Sequence, residues 1–368
     1  MSTTGREQAP APPASDVAAA LDAADFVRLV SDATGEALAG TGVLARALDA
    51  AGTPFQASVV APFADPDRTT EADVTVALGP EHAADHRLAA TPAATAFAVT
   101  REFGTADPVL ALAGSVAGGT LDGTIAEAAE HAGLERRPGL AVPVADPTDG
   151  LAHSTLLSGP FSGAEDRARA MLADLDIGAD PTGDDHRRLA SLVALAVTED
   201  APERATRAVA RGLHPYVGGP FETVGGYADV LNAVARERPG TGIALALGHG
   251  SVHESALSAW RTHAARAHAA LADATTGRYD GLFVARGDAM PVGTVARLVA
   301  DFRAPEPVAL VVTDGAAAAR ATDGRDVATA MATAADTVGG ESVGRDDCAR
   351  AGFTVSTAKF IEAFREAV

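Results

Sequence analysis

Short apolar runs alternate with longer alanine-rich stretches of helical period through the first half of the chain. A helix over 14–25 leads into a strand at 26–31, and a helix over 37–51 into a strand at 55–61. The run DVTVAL at 73–78 reads as another buried strand, followed by a helix over 91–103. DPVLALAGSVAGG at 107–119 is apolar almost throughout and predicts a buried helix, with further helices over 121–133 and 163–175. Unbroken apolar strands separated by helices predict an α/β fold, with a mostly parallel sheet covered by helices on both faces.

The segment VTEDAPERATRAVAR at 197–211 is charged and keeps a helical period, which marks a connecting helix. Beyond it the pattern resumes with a strand at 242–247, a long helix over 251–275, a strand at 280–285, a helix over 291–302 and a strand at 308–313. A helix, a glycine-rich turn, a strand at 352–355 and a helix over 356–367 close the chain. The expected division is a disordered, Pro/Ala-rich N-terminal tail at 1–24, a first domain at 25–196, the linker helix at 197–211 and a second domain at 212–368.

Charge changes the picture of partners. Asp and Glu outnumber Lys and Arg by 49 to 29, the net charge is −20, and Lys359 is the only lysine. That excess fits a protein adapted to molar salt, where self-repulsion is screened and an acidic surface keeps the chain soluble. Net acidity then argues only weakly against a nucleic-acid partner. Cys348 is the single cysteine, which excludes an internal disulfide. No run of 18 apolar residues and no apolar leader is present, so the expected location is the cytoplasm and no membrane partner is expected. Aromatic residues make up 4% of the chain, with Trp260 the sole tryptophan, too few for a rich base-stacking platform.

Residues 27–48, VRLVSDATGEALAGTGVLARAL, read as a strand, a polar turn and a small-residue helix, the arrangement at which α/β proteins place their chemistry. This layout resembles the first motif of the DHH phosphoesterase family, the RecJ-like nucleases. There a His-x-Asp-x-Asp-Gly sequence follows the strand; here Asp32, Thr34, Glu36 and Ala37 stand in those places. The Asp that the family carries at the end of a later strand corresponds to Ala77. The Asp-His-His motif has Asp85 and His86 as its only counterpart, followed by Arg87, and a fourth Asp corresponds to Gly118. Asp32 also suits a helix cap, and Asp85 and His86 a solvated helix start. Hydrolysis by two cations needs several converging carboxylates and histidines. With so few, no catalytic residue and no metal or other cofactor is expected; if a cation binds, Asp32 and Glu36 are its ligands, with Mn or Mg the ion. His249, His253, His263 and His268 read as solvent-facing histidines on or near one helix.

The second half extends the resemblance. GYADVLNAVARE at 225–236 is similar to the helix opening the DHH-associated domain, and VGGESVGRDDCARAGF at 338–353 to its glycine-rich signature, with Arg345 at the histidine position. HSTLLSGPFSG at 153–163 resembles a segment late in the archaeal RecJ-like domain. The resemblance implies a parallel-sheet DHH domain and a smaller α/β substrate-binding domain with a cleft between them. Gly339, Gly340 and Gly344 then bring backbone N–H groups near a phosphate, Arg345 contacts it, and Tyr216 stacks on a base. The function implied is a catalytically inactive replication or repair scaffold that binds single-stranded DNA, the GINS complex, or both. The alternative is an active metal-dependent exonuclease or phosphoesterase with a reduced ligand set.

Overall fold

The structure is a computed structural model that describes residues 13–64, 71–104, 106–175 and 182–368. The run at 27–32 forms β1 (Val27–Asp32), buried along its whole length. With β2 (Phe55–Val60), β3 (Val74–Leu78) and β4 (His86–Leu88) it makes a sheet of order β2-β1-β3-β4, every pairing parallel. The covering helix Gly35–Ala51 is built from small residues because other backbone runs against it. A Cβ on Gly40 would lie 2.8 Å from the Pro92 carbonyl oxygen, and one on Gly42 2.6 Å from that of Ala246. Close approach of this kind trades side-chain burial for dense backbone packing.

A short pair, β5 (Glu135–Arg136) and β6 (Tyr216–Val217), joins distant parts of the chain. The second sheet comprises β7 (Thr275–Tyr279), β8 (Leu282–Arg286), β9 (Val308–Thr313), β10 (Ala316–Ala321), β11 (Glu341–Arg345) and β12 (Cys348–Gly352). Its order is β11-β12-β10-β9-β8-β7, and only β8 and β9 pair in parallel. Phe360 and Phe364 of the last helix, Thr357–Ala367, are fully buried against one face with Leu310 and Val312. Helix Val292–Phe302 covers the other. The fold is α/β, a parallel-sheet unit followed by a second sheet unit. The second sheet has more strands than the first.

Several elements differ from expectation. Residues 242–246 of the strand expected at 242–247 are helical, within Pro239–Ala246, because a short apolar run fits a helix as well as a strand and Pro239 starts the turn. Ala316–Ala321 is a strand despite its alanines; pairing with β9 on one side and β12 on the other overrides helix propensity. The expected glycine-rich turn is instead the hairpin of β11 and β12, and of the strand expected at 352–355 only Gly352, the end of β12, is extended. The connecting helix is interrupted: helices Gly183–Thr198 and Ala205–Gly212 flank Pro202, which cannot sit in a helix interior. Of the expected tail, residues 1–12 lie outside the described residues. Ala14–Asp22 is a helix with Val17 and Leu21 fully buried. Helix Val224–Glu237 and Trp260, expected in the second domain, share the core of the first sheet. No helix among the described residues is long and apolar enough to cross a membrane.

Candidate functional site

The turn after β1 sets the site. Thr34 caps the helix that follows, its hydroxyl accepting from the Ala37 N–H at 3.2 Å, and the Gly35 N–H donates to Asn232 Oδ1 at 3.0 Å. Asp32 is therefore not the cap. It is 2% exposed, and His82 Nε2 lies 3.6 Å from its Oδ1. Burial first, and the neighbouring Glu81 charge second, push the Asp32 carboxyl up to about 7. Burial also raises Glu81, opposed by the Arg350 guanidinium 4.0 Å away and by the Phe63 N–H. Oxygen and nitrogen atoms of Asp32, Glu81 and His82 come within 4.8 Å of one another.

Glu36 belongs to a separate group. Its Oε2 lies 4.0 Å from Arg345, and burial pushes it up to about 7 against that arginine. A Cβ on Gly118 would come 2.2 Å from the same oxygen, so the Glu36 carboxylate fills the space beside Gly118.

The hairpin β11–β12 supplies the facing wall. Arg345 donates to the carbonyls of Ala90 at 2.9 Å and Gly118 at 3.3 Å, which ties the second sheet to the first. Arg350, Arg320 of β10, Arg297 of helix Val292–Phe302 and Arg236 of helix Val224–Glu237 line the same cleft, about 380 Å³ in volume. Arg236 donates to the Asn232 carbonyl and Arg297 to that of Thr155, each at 2.7 Å. Burial, then the nearby charges of Arg350 and Arg297, lower the Arg236 guanidinium. Five arginines thus converge on a cleft that holds four acids, Asp32, Glu36, Glu81 and Asp346.

Of the residues singled out in the sequence, Asp32, Thr34, Glu36, Gly118, Gly344 and Arg345 line this cleft. Ala77 does not; it is buried inside β3 beside Val30, and Gly79 and Glu81 beyond the strand end face the cleft instead. Asp85 and His86 open an edge strand, not a helix, and the Asp85 carboxylate accepts from the Thr75 N–H at 2.8 Å. Past β4, Ala89 and Ala90 reach the cleft. Gly339 ends a helix in the left-handed region at φ 71°, and neither it nor Gly340 lines the cleft. Tyr216 packs in the first core, its hydroxyl donating to Glu130 at 3.0 Å. His263 and His268 are buried, not solvent-facing; His263 bridges Glu237 and Thr294. Glu81, His82 and the arginines 236, 297, 320 and 350 escaped the sequence reading. The legible signal was Gly79-Pro80-Glu81-His82, an acid and a histidine just past a parallel strand.

A protein of Haloarcula marismortui described as "Uncharacterized protein rrnAC1427" is 70% identical over 371 residues, covering 100% of both chains. The chain belongs to the rrnAC1427 family. Residues 274–366 also match the family described as "Uncharacterized protein rrnAC1427, C-terminal domain". Among solved structures, CDC45 from Entamoeba histolytica is similar with a TM-score of 0.53 at 9% identity, over 93% of this chain and 95% of that one. An exonuclease RecJ bound to manganese is similar over 98% of this chain and 94% of that one, with a TM-score of 0.46 and 14% identity. This rrnAC1427 relative shares the fold of that CDC45 structure.

The residues do not fit a pair of metal ions. Two cations about 3.5–4 Å apart need shared carboxylate or histidine ligands around both. Here Thr34, Gly79, Ala89, Ala90 and Gly118 occupy the cleft positions at the strand and helix ends, and Glu36 faces Arg345.

Proposed function

We propose that this protein is a DHH-fold scaffold of DNA replication or repair that holds single-stranded DNA in its arginine-lined cleft without cutting it. The carrying observation is the convergence of Arg236, Arg297, Arg320, Arg345 and Arg350 on one cleft in a chain of net charge −20. Guanidinium groups match phosphate oxygens in bidentate fashion, and a concentrated local field attracts a polyanion that the rest of the surface repels. The absence of a fit to two metals supports holding over hydrolysis. The GINS complex is the partner expected from the family resemblance, and co-purification with it tests that part separately.

The test is anisotropy of labelled single-stranded DNA across a KCl series, with Arg345→Ala/Arg350→Ala as the comparison. Each phosphate neutralised adds about −0.7 to the slope of log K against log salt. The double variant is expected to bind more weakly and with a shallower slope. Equal binding by both proteins at every salt refutes the cleft as the binding surface. A second reading, a metal-dependent exonuclease or phosphoesterase with a reduced ligand set, is favoured by the Asp32, Glu81 and His82 group. It requires Mn²⁺- or Mg²⁺-dependent shortening of the DNA.

A further inference from the structure

We infer that Glu237, His263 and Thr294 form an acid–histidine–hydroxyl relay that makes the Thr294 hydroxyl a nucleophile toward carboxylic esters of negatively charged compounds. The inference goes beyond the DNA reading and stands or fails without it.

Three helices far apart in sequence bring the group together. Glu237 ends helix Val224–Glu237, His263 lies midway along helix His253–Asp273, and Thr294 sits in the first turn of helix Val292–Phe302. His263 Nδ1 is 2.9 Å from Glu237 Oε1, and Nε2 is 2.9 Å from Thr294 Oγ1. These contacts fix where the protons are. The bond to His263 and the Arg266 charge hold Glu237 below its ordinary value, so it is a carboxylate and only accepts; Nδ1 carries the hydrogen. His263 is 1% exposed, and burial holds the imidazole below its ordinary value against the pull of Glu237. Nε2 is then a bare lone pair and accepts the Thr294 O–H. The hydroxyl thus meets a base in the right tautomer, and an acid orients that base. Arg266 in turn fixes the acid, donating to both Glu237 oxygens at 2.9 Å.

The hydroxyl end of the relay opens on the arginine-lined cleft, where Gly293 and Thr294 form part of the wall. The Val295 N–H bonds back to the Pro291 carbonyl at 3.0 Å, so the Gly293 and Thr294 N–H groups before it start the helix without helical acceptors. Donors in that position suit an oxyanion. A Cβ on Gly293 would lie 4.0 Å from Arg350 Nε, which puts a guanidinium beside the same spot and selects an ester that carries negative charge. The turn into the helix is strained as well: Ala289 adopts φ 41°, and its carbonyl accepts from Arg266 at 3.5 Å. Strain of this kind clusters at functional sites.

In the reaction the Thr294 oxygen bonds to the ester carbonyl carbon while His263 Nε2 takes its proton and the carbonyl electron pair moves onto oxygen. When that pair returns, the bond to the alcohol oxygen breaks and the alcohol leaves with the proton from Nε2. Water then attacks the acyl-threonine, gives a proton to Nε2 and releases the acid, and Nε2 returns the proton to Thr294. The sum is ester plus water to acid plus alcohol.

The test treats the full chain in KCl with diisopropyl fluorophosphate and maps the adduct by peptide mass spectrometry. In parallel it follows hydrolysis of 4-nitrophenyl acetate and of the anionic 4-nitrophenyl half-ester of succinic acid. The expected result is one adduct, on Thr294, and a higher kcat/KM for the half-ester. Thr294→Val is expected to lose both adduct and turnover, and Thr294→Ser, which keeps the hydroxyl, to retain them. His263→Gln is expected to slow labelling at least ~100-fold, the scale of general-base catalysis. Glu237 is a positioning residue, so Glu237→Gln is expected to lower kcat and leave KM unchanged, a split that a purely structural link between helices does not give. No adduct on Thr294 of the wild-type chain, hydrolysis undiminished in Thr294→Val, or equal kcat/KM for the two esters each overturns the assignment.

Discussion

Gly226 offers the sharpest test of how the cleft is held together. It lies in the first turn of helix Val224–Glu237, which carries Asn232 and Arg236 into the cleft. A Cβ at 226 would come 2.1 Å from both Pro143 N and Val142 C and 2.3 Å from Val142 O, more than 1 Å inside ordinary contact. The obstacle is backbone, and it cannot retreat freely, because the Val142 carbonyl accepts the Thr223 hydroxyl at 2.8 Å. Overpacking costs ~1–3 kcal/mol and occasionally more, and rigid backbone on the far side places Gly226→Ala at the upper end. Alanine returns ~1 kcal/mol of helix propensity, leaving a net loss of about 2 kcal/mol. With an unfolding entropy of ~2.1 cal/mol/K per residue, that lowers Tm by about 3 °C if the chain unfolds as one unit. Gly240→Ala is the control: it lies in helix Pro239–Ala246 with nothing within 4 Å of its would-be Cβ, and is expected to raise Tm by about 1 °C. Both are read from the emission of Trp260, the only tryptophan and fully buried. Equal shifts in the two variants, or a stabilised Gly226→Ala, refute the close approach of this helix to the backbone of Val142 and Pro143.

Three further outcomes follow from the same geometry. Glu36 has a folded value near 7 against an ordinary 4.5, so its stabilising contribution is complete below 4.5 and lost as pH rises through about 7. Glu36→Gln should therefore flatten this part of the pH profile and be more stable than wild type at pH 8 by ~1–3 kcal/mol, measured by urea unfolding at pH 5 and 8. Asp229 is buried and accepts from the Thr155 N–H at 2.8 Å, the Thr155 hydroxyl and Trp260 Nε1 at 2.9 Å. Asp229→Ala strands those donors and should cost ~3 kcal/mol, with red-shifted Trp260 emission as the local signature. Arg345→Ala alone should loosen the link between the sheets and reduce the salt slope of DNA binding by about 0.7, read by anisotropy.

Three strands of the first sheet, β1, β2 and β3, were legible as short apolar-rich runs between helices, whereas β4 (His86–Leu88) starts at a pair that reads as a solvated helix start. The second was partly hidden. The alanines of β10 carry no strand signature, and the hairpin of β11 and β12 reads as a glycine-rich turn until its pairing is seen. At the site, Asp32, Glu36 and Arg345 stand at motif positions, whereas Glu81 and His82 lie four and five residues beyond Ala77, the strand-end position that the motif marks. Arg236, Arg297 and Arg320 come from three elements far apart in sequence, and no local pattern announces that they meet. Thr34 took the capping role that Asp32 also suits, which left the Asp32 carboxylate for the cleft.

The central claim is that the cleft retains a phosphate strand and does not cut it. The most direct measurement follows end-labelled single-stranded DNA incubated with wild-type protein and with Arg345→Ala/Arg350→Ala, in Mn²⁺ and molar KCl, on native and denaturing gels together. The account predicts DNA that is bound but full-length with wild type, and unbound and full-length with the double variant. Mn²⁺-dependent shortening by the wild-type chain, or no retention at any salt, contradicts it.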